Sequence, residues 1–173
     1  MTRGRRRRSG NSLLEFTLVG IPLIFVLIST FQMSLAMWLY DTLAFAVKQG
    51  TRYVVVHGVN CSTNGNTYCA TVSNVAAVIN TAARGLDPNQ MTVTLTPSSG
   101  SATTDTLANL MSGSTYATTN WPPAGAKDLG KPVTISVLYP FNSGISMFWV
   151  GTRPVTAHGR TYLPASSTDL IQF

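Results

Sequence analysis

Between Leu13 and Tyr40 the chain reads LLEFTLVGIPLIFVLISTFQMSLAMWLY, 28 residues with a single charged side chain, Glu15. As a helix this stretch spans about 42 Å at 1.5 Å per residue, more than the ~30 Å hydrocarbon core of a bilayer. A cleavable secretory signal has an apolar core of about 7 to 15 residues followed by a small-x-small site. This run is longer and no such site follows it, so a lasting anchor is expected. A twin-arginine export signal is disfavoured because polar Ser9, Gly10 and Asn11 follow the arginines. Pro22 lies inside the run, which transmembrane helices tolerate at the loss of one backbone hydrogen bond. Trp38 and Tyr40 suit the far membrane–water interface.

The chain carries a formal charge of +6, unevenly placed. Arg3 and Arg5 to Arg8 supply five positive charges before residue 10, and the remainder of the 173 residues is close to neutral. An arginine cluster can bind nucleic acid. Here it abuts an apolar run and no other basic patch exists, so the positive-inside rule is the simpler account. The expected orientation is N-terminus in the cytoplasm and C-terminal body outside, with no nucleic-acid partner.

Glu15, the only glutamate in the chain, sits three residues into the apolar run. A carboxylate at the centre of a transmembrane helix costs roughly 2.5 to 3.5 kcal/mol, and less near an interface. One reading is a boundary residue tolerated near the headgroups. The other is a carboxylate with a cationic partner inside the membrane. A cut after Gly10 would create an α-amino group at Asn11, four residues and one helical turn from Glu15. The two groups would neutralise each other, within one chain or between neighbours.

The arrangement Gly10, Asn11-Ser12-Leu13-Leu14-Glu15-Phe16 resembles the prepilin signature: a basic leader ending in Gly, a cut, Glu at the fifth mature position, then an apolar helix. Asn11 stands where the common type IV form has Phe. Glu15 followed by Phe16 resembles the tight-adherence (Flp) branch, and the length beyond the membrane resembles its TadE-like minor pilins, or pseudopilins. The stretches AVKQGTRYVVVHG (46–58), GLDPNQMTVTLT (85–96) and GKPVTISVLYPF (130–141) resemble the corresponding parts of that family. The resemblance implies a prepilin peptidase cutting between Gly10 and Asn11, other pilins and the assembly machinery as partners, and Glu15 with Phe16 acting in N-terminal pairing and assembly. It also implies the bacterial inner membrane and its lipid as the setting, crossed once. The implied division is a leader at 1–10, a transmembrane helix at 11–40 and an exported body at 41–173.

The apolar helix is expected to continue beyond the membrane. Leu39, Leu43, Ala46, Val47, Gly50, Val54 and His57 follow three- and four-residue spacing, with a stop at Gly58. Val72, Val75, Ala76, Ile79, Ala82 and Ala83 predict a second amphipathic helix ending at Arg84–Gly85. Asp87-Pro88-Asn89 is a turn. Met91, Val93 and Leu95 alternate with threonines, as do Val133, Ile135, Val137 and Tyr139 with Thr134 and Ser136, predicting two half-buried strands. Residues 154–163 are a weaker third. Residues 97–131, rich in Ser, Thr, Gly and Ala, read as a long surface connection. The resulting fold class is α+β: pilin-like, a long N-terminal helix packed on a small antiparallel sheet with a second short helix. The apolar GISMFWV (144–150) is either a docking patch or a segment closing the core.

Cys61 and Cys69 flank a polar loop. A disulfide closing nine residues would add about 2.5 kcal/mol by the chain-entropy estimate; free thiols or a metal pair are the alternatives, and two histidines make a poor zinc set. No metal, cofactor or small-molecule substrate is expected. His57 and His158 stand alone, no G-x-S-x-G elbow or phosphate loop occurs, and the five aspartates are scattered. The chain reads as a structural subunit on which chemistry is done, not an enzyme. The competing reading is an uncleaved, signal-anchored periplasmic binding domain with Glu15 incidental.

Overall fold

The computed structural model describes residues 9–57, 70–126, 128–141 and 161–172, with side chains from Leu13 onward except that of Thr161. Helix α1 runs unbroken over Ser9–His57, 49 residues, with Pro22 inside it. It begins four residues before the apolar run, taking in Ser9, Gly10 and Asn11, and it ends at His57 as expected.

In the first half of α1 large apolar side chains from Leu13 to Met37 stand exposed. Its hydroxyls fold back onto the helix. Thr17, Ser29, Thr30 and Ser34 donate to the carbonyls of Leu14, Phe25, Val26 and Thr30 at 2.7–3.0 Å. Such bonding leaves no unsatisfied hydroxyl where water is absent. The second half carries a buried stripe, Leu43, Ala46, Val47, Gly50, Thr51 and Val54, at the spacing of one helix face. The buried Thr51 hydroxyl donates to the Val47 carbonyl at 2.9 Å, which lets a polar residue sit in the core.

Helix α2, Val72–Ala82, packs against that stripe. The Thr71 hydroxyl caps it by accepting from the Asn74 N–H. The chain leaves through Gly85, whose φ of +84° suits glycine. Strand β1 (Thr92–Thr96), strand β2 (Thr103–Thr106), strand β3 (Pro132–Phe141) and strand β4 (Thr161–Leu170) form one antiparallel sheet in the order β2-β1-β3-β4. Val93, Leu95, Val133, Ile135, Val137 and Ala165 point into the core shared with α1 and α2. Threonines and serines cover the other face, some bonded across strands, Thr104 to Thr94 at 3.0 Å and Thr134 to Thr168 at 2.7 Å. The two prolines of β3 lie outside its pairing with β1, which covers Thr134 to Leu138, so no ladder donor is lost there. The fold is therefore α+β as expected from the sequence, with four strands among the described residues instead of three.

Two expectations are corrected. Residues 97–131 are not a long surface connection. They contain β2, the short helices α3 (Leu107–Ser112) and α4 (Ser114–Thr118), and a 3₁₀ turn at Ala124–Ala126. Leu107 and Leu110 of α3 are fully buried. The segment's small polar composition concealed one three-residue apolar step that is enough to dock a two-turn helix. The last strand lies at Thr161–Leu170, overlapping the end of the expected 154–163, of which residues 154–160 lie outside the described residues. It is an edge strand with Pro164 and a run of Ser and Thr, and pairing to β3 along its whole length, not apolar alternation, makes it a strand. Cys61, Cys69 and GISMFWV (144–150) lie outside the described residues.

Candidate functional site

The site expected from the sequence is the N-terminal end of α1. The bond between Gly10 and Asn11 lies in its first turn, which starts at Ser9. Four residues on, Glu15 projects from continuous helix, exposed. A rise of about 6 Å separates positions 11 and 15, which share one helix face. Phe16 stands out from the helix, its ring beside Gly20: a Cβ at Gly20 would lie 3.8 Å from Phe16 Cε1. The structure thus holds Gly10, Asn11, Glu15 and Phe16 within two turns of one helix, followed by apolar surface.

Leu13–His57 is long and apolar enough to cross a membrane, and none of its most apolar window is buried inside the protein. That distinguishes it from the core helix of a water-soluble domain, whose apolar stripe is covered by its own fold.

Beyond the apolar run α1 becomes the spine of the body. Gly50 marks the closest approach: a Cβ built there would lie 2.7 Å from Ile79 Cγ1, 3.1 Å from Ile79 Cδ1 and 3.4 Å from Ile135 Cδ1. Only glycine lets α1 meet α2 and β3 at this point. A shallow groove of about 600 Å³ runs along the outer side of the α1–α2 pair between Phe45, Gln49, Val78 and Arg84. His57 stacks on Tyr53, ring centroids 4.3 Å apart, with Nδ1 2.9 Å from the Tyr53 carbonyl, so it finishes the helix.

Two aspartates hold the body's connections. The Asp105 carboxylate accepts from the Asn109 side chain at 2.9 Å, the Thr106 N–H at 2.7 Å and the Tyr116 hydroxyl at 3.1 Å, tying β2 to α3 and α4. These bonds, the Asn109 amide foremost, hold its carboxyl below the usual carboxylate range. Asp87 is lowered likewise by the Asn89 N–H and by the side chains of Asn89 and Gln90. The Asp105 cluster was not foreseen, because the segment carrying it read as irregular. Among the described residues no three His, Cys, Asp or Glu side chains converge as a metal site.

Residues 10–52 match the model of the TadE-like protein family. Over this segment the chain is similar to TadE-like proteins. The match starts at Gly10 and ends at Arg52, covering the apolar span and most of the half of α1 that enters the body. No curated protein and no solved structure gives a match, so the body beyond this TadE-like segment is described by its own structure alone.

Proposed function

We propose that this protein is a minor pilin, or pseudopilin, of a tight-adherence type pilus. Its leader, residues 1–10, is removed by a prepilin peptidase. Residues 11–40 then hold it in the inner membrane, and residues 41–173 form the exported body. The observation that carries this reading is the TadE-like match beginning at Gly10, with Glu15 one helical turn beyond.

The arginines of the leader keep the N-terminus in the cytoplasm, on the face where the peptidase acts. After the cut, the new α-amino group of Asn11 meets the Glu15 carboxylate of its own chain or of a neighbouring pilin. Either alone would be a poorly solvated charge at the edge of the hydrocarbon, and pairing removes that cost while setting helix register. Phe16 and the exposed apolar side chains beyond it give the helix the surface to leave lipid for other helices. The body's neutral, hydroxyl-rich sheet and absence of a catalytic constellation among the described residues suit a structural subunit. Cys61 and Cys69 are assigned to a disulfide, which an exported body permits.

The test is the mass and N-terminal sequence of the membrane-extracted protein from cells with and without prepilin peptidase. A chain beginning at Asn11 only when the peptidase is present supports the reading. Residues 1–10 retained in both cases would sink it and favour the uncleaved, signal-anchored binding domain. In cells that pass this test, Glu15→Ala should insert normally yet leave few pili; normal piliation would count against the pairing.

A further inference from the structure

We propose that the body stands directly on the bilayer, with its anchor-facing end forming a surface that binds the phospholipid headgroup layer of the outer leaflet. This rests on the reading of residues 11–40 as a membrane anchor.

Helix α1 serves as the ruler. At Gly50 it touches both Ile79 of α2 and Ile135 of β3. From that level α2 runs back toward the anchor. Arg84 reaches the groove beside Phe45, and Gly85 lies against the Trp38 indole, where an added Cβ would be 3.2 Å from Cη2. From Gly50 to Trp38 the helix descends about 18 Å. Strand β3 descends alongside: from Ile135 to Tyr139 is about 13 Å, and there the Asp87 N–H donates to the Tyr139 hydroxyl at 3.4 Å. Trp38, Gly85, Asp87 and Tyr139 therefore share one level, and Leu138 to Phe141, with Tyr162 paired to Pro140, lie beside it.

That level falls in the headgroups. The 28 residues from Leu13 to Tyr40 span about 42 Å, the thickness of a bilayer with both headgroup layers, where the hydrocarbon alone is ~30 Å. The side chains at this end fit such a setting. Trp38, Tyr40 and Leu138 are 53%, 48% and 44% exposed, and Tyr139, Phe141 and Tyr162 are partly exposed. Aromatic rings with polar tips partition to this layer. The Arg84 side chain is exposed and makes no ion pair among the described residues, leaving its guanidinium for phosphate oxygens. Among the described residues Asp41 and Asp87 lie at the same end as Arg84, so their charges do not sum to a net positive one. The attraction comes from aromatic burial and the Arg84–phosphate contact, and it does not require anionic lipid. Because Trp38 is shared between anchor and body, the depth of the anchor sets the height of the body.

The experiment uses the full chain in phosphatidylcholine vesicles at less than one chain per vesicle, with a nitroxide amino acid placed singly at Leu27, Asn89 or Ser98. Collision rates with oxygen and with a water-soluble nickel chelate report depth. The expected result is Leu27 in the hydrocarbon, Ser98 in water, and Asn89 near the phosphates with nickel access several-fold below that of Ser98. Adding phosphatidylglycerol should leave this unchanged, and Arg84→Glu should raise nickel access at Asn89 without altering Leu27. Asn89 as open to nickel as Ser98, with Leu27 still in hydrocarbon, overturns the seat and leaves the anchor standing. Leu27 in water overturns the anchor and the seat with it. Asn89 shielded from both probes means protein covers this end, and also overturns the proposal.

Discussion

Replacing Gly50 with alanine sets two effects of known sign against each other. On an exposed helix the change would stabilise by roughly 0.8–1.0 kcal/mol, the difference in helix propensity. At this position the new Cβ would lie 2.7 Å from Ile79 Cγ1, about 0.8 Å inside the closest comfortable carbon–carbon separation of ~3.5 Å. Ile79 cannot swing aside cheaply, since a β-branched residue in a helix has one preferred χ1, and the Ile135 methyl closes another side at 3.4 Å. Overpacking of this kind costs about 1–3 kcal/mol. The net expectation is a loss of about 0–2 kcal/mol, or a Tm lowered by up to about 6 °C for a chain of this size. The measurement is thermal unfolding of the detergent-solubilised full chain, followed by near-ultraviolet circular dichroism, because the anchor helix will not melt with the body. An Ile79→Ala background removes the offending carbon. Gly50→Ala should there become neutral or stabilising, with a coupling of at least about 1 kcal/mol. A Gly50→Ala protein that is more stable than the parent by the propensity gain alone would refute the close approach of α1 and α2.

Leu110→Ala should destabilise the body by about 2–5 kcal/mol by opening a cavity under α3; a change below ~0.5 kcal/mol would restore residues 97–131 to a loose connection. Asp105 has a folded-state pKa below its ordinary value near 3.8, so its contribution is present above that value and is lost as pH falls through the lower, folded one. Asp105→Asn should therefore flatten the acid limb of a stability–pH profile below about pH 4; an unchanged acid limb would remove the carboxylate from the tie between β2, α3 and α4. For Cys61 and Cys69, alkylation of the unfolded, unreduced protein should find no free thiol, and the Cys61→Ser, Cys69→Ser double variant should lose about 2.5 kcal/mol; two alkylated thiols would exclude the bridge.

The sequence alone determined the parts in which one residue pattern has one physical outcome. Twenty-eight nearly uncharged residues behind five arginines leave few alternatives to a membrane-crossing helix, and the three- and four-residue spacing from Leu39 to Val54 marks the face on which that helix enters a core. The apolar alternation of Val93–Leu95 and Val133–Val137 likewise marks strands, because period two buries one face of a sheet. Elsewhere the deciding information is held by partners distant in the chain. Strand β4 has no apolar alternation and exists through its ladder to β3. Helix α3 is only six residues long, too short to stand alone, and forms because Leu107 and Leu110 are buried in the core as it packs against α2. The sequence places Gly50 on the buried face, but that no other residue fits there depends on where α2 and β3 put Ile79 and Ile135. The same holds for Trp38, an interfacial residue by position, whose contact with Gly85 arises only when α2 folds back along the helix that precedes it. Local periodicity is written in neighbouring residues and can be read from them; close packing between segments is set by three-dimensional volume, which no short stretch of the chain contains.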